Sequence, residues 1–469
     1  CLMNKLLTNY LSFFLILISA LSLVNIIYCY YFNIYLNVDT YIYTLIISLV
    51  IAIGLLNLKT KIFKINIYYK IFTVISGYFL IPFVLSIPYY LSIYNISFLN
   101  CYFEAVSGFT STGFTIFENI KHLDEGLILW RSTSQWIGGI YFLFSIILLI
   151  DIFDNKIKNS LKNFISLNNV ESFKQYIKIF ILYICLTVFI FISLNIINIR
   201  TFDSLNLAMT IISSGGFLPF NNLDIILNTN LKKIIFSLLM LLSFFSLFLI
   251  YNLFFVKKKN LNFFAEDIYL LIYLSLITSF FLIFFNFDYN FLIILLSITS
   301  SVSNIGISLS DVPNNLYIFF LILVIVGGSY FSTSSGIRFI KLFALLRFSL
   351  NEILSYSKPN YVFANKFQLF NTNVELKDIH KYFLTLIVFI ISLFILTIFL
   401  TIVGLNFENS FKIGILTLMN TTTSSMYGFN DFNFYDLNFY TKAILIFFMT
   451  IGRFELITLL IIIKKFFFK

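Results

Sequence analysis

Four short stretches rich in serine, threonine and glycine hold the chemistry of this chain. They are Ser107-Gly108-Phe109-Thr110-Ser111-Thr112-Gly113-Phe114, Thr210-Ile211-Ile212-Ser213-Ser214-Gly215-Gly216-Phe217, Thr299-Ser300-Ser301-Val302-Ser303-Asn304-Ile305-Gly306 and Asn420-Thr421-Thr422-Thr423-Ser424-Ser425-Met426-Tyr427-Gly428. What such turns offer is backbone. Glycine reaches conformations closed to other residues and can aim carbonyls inward, and small hydroxyl neighbours let chains approach. Four turns converging on one axis would form rings of carbonyls that replace the hydration shell of a cation. One turn alone reads equally as an exposed loop or a small-residue helix contact. Four at the same place in a repeat favour a common axis. Aligned at positions 113, 215, 306 and 424, they are 102, 91 and 118 residues apart.

Other chemistry is poorly supplied. There is no P-loop, no HExxH and no Ser/His/Asp set, so the chain does not read as an enzyme, and no cofactor is expected. The two histidines, His122 and His380, fall at interfaces and read as solvated. Cys1, Cys29, Cys101 and Cys185 form no CxxC and read as buried small hydrophobes.

The elements that must position these turns are membrane spans. Of 469 residues, 60% are hydrophobic and only 11% charged, whereas a soluble domain carries roughly a quarter charged residues. The mean hydropathy is +0.95. Apolar runs of about 18 to 25 residues suffice to cross roughly 30 Å of hydrocarbon. Candidate spans lie near 6–30, 38–58, 68–90, 126–150, 176–199, 232–256, 268–286, 315–349, 379–403 and 438–463. The first is too long for a signal peptide and has no small-residue cleavage site. Four times a span is followed by a half-length apolar stretch, a Ser/Thr/Gly turn and another span. Non-helical backbone at membrane depth is tolerated only where it is buried or lines a water-filled path.

The expected fold is an all-α membrane protein of about ten transmembrane helices. Four span–re-entrant pore helix–span repeats surround a central pore, with two extra N-terminal spans. Residues 1–66 form the two-helix extension, and 67–160, 161–260, 261–360 and 361–469 the four pore repeats, the third with an interrupted helix. With a cytoplasmic N-terminus, 23 of 31 basic residues fall on the cytoplasmic side, and twelve of 21 acidic residues lean outward. That bias puts both termini in the cytoplasm. The formal charge of +10 and the Lys257-Lys258-Lys259 run then read as topology anchors rather than a nucleic-acid patch.

At these residues the chain resembles the TrkH/KtrB potassium transporter superfamily. SGFTSTGFT followed by LWRSTSQWIGG is similar to its first pore loop and following helix, and AMTIISSGGF to its second loop. SNIGISLSD with GGSYFSTSSGIRFIK resembles its third loop and gate region, and GRFELITLL the signature of its last helix. The match runs from about residue 68 to the end, and the two extra spans favour the TrkH branch. The resemblance implies an ion filter with one glycine per loop: Gly113, Gly215 and Gly306, preceded by Thr112, Ser214 and Ile305. In the fourth loop, alignment on Tyr427-Gly428 puts Ser424, after Thr423, where a glycine is expected. In related plant transporters a serine at one filter glycine accompanies sodium permeation, so sodium passage stays open as an alternative.

The resemblance further implies a gate. Gly327, Gly328, Ser332, Thr333, Ser334, Ser335 and Gly336 interrupt an otherwise apolar helix, and in the family such a break is an intramembrane loop beneath the filter. Small-residue helix packing is its plain alternative. Arg453, mid-span and costly there, is placed near the pore, where it can hold that loop. Arg131 near a span end can snorkel or pair. The substrate implied is the potassium ion, held by filter backbone, with membrane lipid around the chain. The partners implied are a second copy, as a homodimer, and a TrkA-like cytosolic nucleotide-binding regulatory subunit. The location implied is a bacterial plasma (inner) membrane, multi-pass. A membrane part of a sensory complex would ask for a kinase or nucleotide-binding extension. A coupled secondary transporter would ask for acidic residues inside spans, of which Glu455 is nearly the sole example.

Overall fold

The computed structural model describes residues 5–58, 67–149, 172–247, 265–284, 290–357, 368–369, 372–373, 376–429 and 432–454, with 458 and 464. Helix α1 (Lys5–Tyr31) packs along α2 (Val38–Asn57), and α3 (Ile67–Leu85) continues through Ser86 into α4 (Ile87–Leu91). Pro82 lies inside α3; it withdraws a helical N–H and crowds the preceding turn, and the helix breaks three residues later. The long helices α6 (Glu125–Leu148), α7 (Ser172–Ile196), α10 (Ala265–Phe284) and α14 (Leu376–Ile402) follow further along the chain. Between them stand α9 (Asn230–Met240), α12 (Tyr317–Ile325), α13 (Phe339–Ser357) and α16 (Phe439–Arg453). Two two-residue strand pairs are the β structure among the described residues.

Four further helices share one length. α5 (Phe98–Phe109), α8 (Thr201–Ile212), α11 (Phe291–Val302) and α15 (Phe407–Leu418) each have 12 residues. At 1.5 Å per residue such a helix covers about 18 Å, roughly half the hydrocarbon thickness. Each ends at one of the Ser/Thr/Gly turns.

Among the described residues, six helices are long and apolar enough to cross a membrane: α1, α2, α3 with α4, α7, α10 and α14. Their outward faces expose large apolar side chains, among them Val50, Ile196, Ile283 and Ile402. Such a surface is stable only against lipid, and the chain is a multi-pass, all-α membrane protein. The polar and charged side chains are inside instead.

Helix α6 is buried along nearly its whole length. It begins where Asp124 accepts the Leu127 N–H at 3.3 Å, an N-cap that satisfies one orphan donor. At its second turn Arg131 is buried and pairs with Glu104 of α5, Nε to Oε1 at 2.9 Å. Glu104 also accepts the Ile116 N–H at 2.9 Å and the Thr115 hydroxyl at 3.1 Å. The guanidinium lies 4.3 Å from the Phe217 ring centroid and donates to Leu218 O at 3.4 Å. Arg131 therefore does not snorkel, and Glu104 does not face the outer solution. The pair braces the chain leaving the first turn against that leaving the second. His122 and His380 are exposed, as the sequence suggests; Cys29 and Cys101 are buried, whereas Cys185 is exposed on a lipid-facing helix.

Removing one member of a buried ion pair strands the other, at a cost of about 3–5 kcal/mol. Arg131→Met should lower the melting temperature in detergent markedly, and Glu104→Gln in the same chain should recover part of the loss. An Arg131→Met protein that melts with the unmodified chain would show that this pair does not brace the two turns.

Candidate functional site

The four turns share a backbone device. Each 12-residue helix is followed by a non-glycine residue in the left-handed region: Ser111 (φ 55°), Ser214 (57°), Asn304 (57°) and Asn420 (46°). The next residue's N–H donates to a carbonyl five positions back: Thr112 to Ser107 at 2.9 Å, Gly215 to Thr210 at 2.8 Å, Ile305 to Ser300 at 3.1 Å and Thr421 to Leu416 at 2.9 Å. This closes the helix end in the manner of a Schellman cap. Serine and asparagine in the left-handed region store strain, which persists only where the surroundings over-determine the conformation.

The surroundings do so by joining each loop to the next. Ser214 Oγ donates to Ser303 O at 2.6 Å, linking the second loop to the third. Asn304 Nδ2 donates to Thr421 Oγ1 at 3.3 Å and to Val324 O at 2.8 Å. Asn420 Nδ2 donates to Thr112 Oγ1 at 2.9 Å and to Met449 O at 2.8 Å, linking the fourth loop to the first. The first and second loops are bridged by Arg453, whose Nη2 donates to Ser111 Oγ at 3.4 Å and Ser213 O at 3.5 Å. A second ring of bonds lies farther along each loop. Ile120 N donates to Asn221 Oδ1 (2.9 Å), Ser310 N to Asp224 Oδ2 (3.0 Å), Ser308 and Ser425 share a bond (2.8 Å), and Asn433 donates to Glu118. The loops therefore stand in chain order around one axis. On that side they line an open cavity of about 640 Å³ that Glu118, Asp224, Ser308 and Ser425 help to line.

This geometry corrects the register read from the sequence in two loops. Counting from the left-handed residue, Thr112, Gly215, Ile305 and Thr421 are equivalent, and so are Gly113, Gly216, Gly306 and Thr422. Gly215 thus matches Thr112, not Gly113. A Cβ there would displace the Gln135 carboxamide, whose Oε1 accepts the Phe217 N–H at 3.3 Å. In the fourth loop Ser424 lies beyond the equivalent position and caps a 3-10 turn, Ser425–Tyr427, accepting the Tyr427 N–H at 3.1 Å. Gly428 closes that turn with φ 80° and does not mark the register. Thr423 is half-buried beside it.

The interrupted helix is a loop pinned at its neck. Val326–Gly327 pairs in parallel with Ile337–Arg338, so residues 328–336 form a closed excursion. A Cβ on Gly336 (φ 79°) would lie 2.8 Å from Gly327 N, and one on Gly327 would collide with Ser335 O. Ser332, Thr333, Ser334 and Ser335 are buried. The backbone finds partners in a second helix break, after α9: Ser329 N donates to Phe244 O (3.0 Å), Ser334 N to Ser243 O (3.2 Å) and Leu247 N to Phe331 O (3.2 Å). Gly328 N donates to Ser334 Oγ at 3.0 Å, and Tyr330 N to Glu266 Oε1 at 3.0 Å.

Arg453 reaches this loop through one bond, Nη1 to Ser335 Oγ at 2.6 Å. Most of the clasping falls instead to Arg338, whose Nη1 donates to Ser329 O (3.1 Å), Ser332 Oγ (3.2 Å) and Ser334 O (3.0 Å). The two guanidiniums lie 5.1 and 4.2 Å from the Phe142 ring centroid. Ser335 Oγ also approaches Asn420 Oδ1 at 3.5 Å, so the loop rests directly against the turns. Sequence reading missed Arg338, Glu266 and Asn420. Arg338 carried a signal, standing two residues after the Ser/Gly break; the others became visible only as contacts. Buried Glu104 and Asp267, with half-buried Glu266, also show that inward carboxylates are less scarce than span boundaries suggest. Glu455 and the Lys257–Lys259 run lie outside the described residues, as does most of 156–178.

The neck makes a prediction about stability. Gly336→Ala combines a strained left-handed alanine with a collision against Gly327, whereas Gly404 (φ 108°) has open space around a Cβ. Both alanines bear positive-φ strain, so the difference is the collision, and Gly336→Ala should cost about 1–3 kcal/mol more than Gly404→Ala, seen as the larger fall in melting temperature. Equal falls would mean that the neck is not tightly closed.

No family model matches the chain. It is 25% identical over 464 residues to an uncharacterized cation transporter of Methanocaldococcus jannaschii, covering 93% of this chain and 91% of that protein. It is 22% identical over 400 residues to the Trk system potassium uptake protein TrkG of Escherichia coli, 80% of each. The crystal structure of the potassium transporter TrkH from Vibrio parahaemolyticus superposes with a TM-score of 0.84 at 18% identity, over 99% of this chain and 100% of that one. These relatives are ion transporters and not enzymes. The chain is thus similar over most of its length to Trk potassium uptake proteins, and it shares the fold of the potassium transporter TrkH, in keeping with its resemblance to the TrkH/KtrB superfamily.

Proposed function

We propose that this chain is the membrane subunit of a potassium uptake system, passing monovalent cations down their electrochemical gradient through a filter built from the four turns. The observation that carries this is the closed ring of loop-to-loop hydrogen bonds, 214 to 303, 304 to 421, 420 to 112, with Arg453 between 111 and 213. A ring held that way keeps backbone carbonyls at fixed spacing around an axis, which is what replacing a hydration shell requires. The names of the relatives supply the ion. Inward movement is driven by the membrane potential, about 2.3 kcal/mol per charge per 100 mV. No covalent chemistry is needed.

In this reading Thr112, Gly215, Ile305 and Thr421 line the filter with Gly113, Gly216, Gly306 and Thr422, and the loop 327–336 is the gate beneath it. Arg338 clasps the loop from within, and Arg453 ties it to the filter. The four pore repeats follow the half-length helices, with residues 1–66 as an extension. The excess of basic residues in alternate loops supports cytoplasmic termini and a bacterial inner membrane. A poorly selective, sodium-permeable channel is the second reading, favoured by the threonine in the fourth loop.

Liposome flux tests both the conduction and the gate. The chain should pass potassium and rubidium, and Arg453→Ala or deletion of Ser332–Ser335 should raise basal flux by about tenfold or more, the scale set by loss of a charged hydrogen bond of about 1.5–3 kcal/mol. Arg338→Ala should do the same. Well-folded variants with unchanged or lower flux would remove the gating role, and no cation flux from any of them would remove conduction.

The resemblance also supports a homodimer with a TrkA-like nucleotide-binding subunit on the cytoplasmic side. Affinity purification from native membranes should recover such a subunit, and flux should respond to ATP or ADP when it is present. A fully active, nucleotide-insensitive chain without that partner would contradict this assembly.

A further inference from the structure

A small cavity lies where the neck of the 327–336 excursion meets helix α16. Its volume is about 50 Å³, and Phe142, Ser335, Arg338, Lys341, Thr385 and Arg453 are among the residues that line it. Three of these are cations, and all three are buried: Arg338 is 5% exposed, Lys341 6% and Arg453 2%. They come from separate places in the fold. Arg338 ends the paired neck, Lys341 stands in the first turn of α13, and Arg453 is the last residue of α16. The guanidiniums of Arg338 and Arg453 both lie over the Phe142 ring. Among the described residues, no carboxylate lines the cavity. Glu266 is within electrostatic range of Arg338, but its Oε1 accepts the Tyr330 N–H and it stands outside the lining.

Taking a charge out of water is costly unless opposite charge or hydrogen bonds answer it, and like charges around one small volume add to that cost. One donor is also left over. Arg453 Nη1 and Nη2 reach Ser335 Oγ, Ser111 Oγ and Ser213 O. Its Nε is buried and has no acceptor. The Tyr78 hydroxyl, in range of the same guanidinium, is buried without a partner too. The Thr385 hydroxyl donates to Tyr382 O at 2.6 Å, so the donors on this cavity belong to the cations.

We propose that the cavity is a binding site for a small monovalent inorganic anion of halide size, held by Arg338, Lys341 and Arg453. The volume admits a few waters, or one halide with a water beside it, and excludes an organic acid such as gluconate. Hydrogen bonds from cationic donors to an anion are of the strong, charge-assisted kind. The anion ties the neck, α13 and α16 together. Its consequence for transport rests on the gating reading above: an anion here holds the excursion in place and lowers basal flux.

The test of binding is melting of the full-length protein in detergent over a range of chloride concentrations, with gluconate keeping ionic strength constant. The melting temperature should rise with chloride and level off, as for a ligand that binds only the folded state, and bromide should act as chloride does. Lys341→Met should raise the half-saturating chloride concentration about tenfold or more, the scale of one lost charge-assisted hydrogen bond. Identical melting in chloride and gluconate overturns the site, as does a chloride midpoint that Lys341→Met leaves unmoved. Should Lys341→Met not fold, crystals of the unmodified chain grown in bromide decide. An anomalous peak between the Lys341 ammonium and the Arg453 guanidinium supports the site, and its absence overturns it. In liposomes, chloride should lower basal cation flux relative to gluconate. Flux that ignores chloride while melting responds keeps the anion site and removes its link to the gate.

Discussion

Backbone that leaves the helix at membrane depth must find every hydrogen bond inside the protein, because hydrocarbon supplies none. This chain does so in at least six places: the four turns, the excursion at 328–336 and the break after α9. The breaks satisfy one another. The excursion uses carbonyls freed at Ser243 and Phe244, and that break in turn uses the excursion's Phe331 carbonyl. The turns likewise bond to one another round the axis, second to third, third to fourth and fourth to first, with Arg453 bridging the first and second. The polar core is therefore a consequence of unwound backbone, and the apolar faces turned to lipid are its complement.

The same constraint explains where charge is tolerated. Arg131, Arg338 and Arg453 are all buried, and each fans its donors over carbonyls and hydroxyls that the unwound segments expose. Arginine suits this because it carries five donors in a fixed fork and stays protonated. Arg131 adds a carboxylate partner, Glu104. Arg338 and Arg453 share the face of Phe142 and between them hold the 328–336 excursion. Arg453 touches both that excursion and two turns, so a displacement of one is felt by the other through a single side chain. That is a mechanical basis for coupling the proposed gate to the proposed filter.

The four turns follow one plan yet are not identical. All four share the left-handed residue and the five-residue closure, but the left-handed glycine after it occurs in the first and third turns only. The ring is two-fold rather than four-fold in its backbone, and side-chain freedom is confined to the second and fourth turns. One of those turns kept glycine, and the other carries Thr422.

Much of this was legible in the chain. Hydrophobic run length alone demands spans, and the half-length runs ending in Ser/Thr/Gly clusters demand re-entrant helices, which the four 12-residue helices are. The Gly/Ser interruption and the cost of a mid-span arginine pointed to residues 327–336 and Arg453, and these do meet. What sequence reading misjudged was register. It counted glycines, so it chose Gly215 over Gly216 and followed Tyr427-Gly428 to Ser424. The structure counts from the left-handed residue instead, which is serine or asparagine in every loop and gives no glycine signal. Contacts between loops hold those residues left-handed, and contacts across 89 to 342 positions of chain are what local pattern cannot encode. For the same reason Arg338, Glu266 and Asn420 emerged only from tertiary structure: each earns its place by the carbonyl or N–H it meets, and those groups are freed by helix breaks elsewhere in the chain.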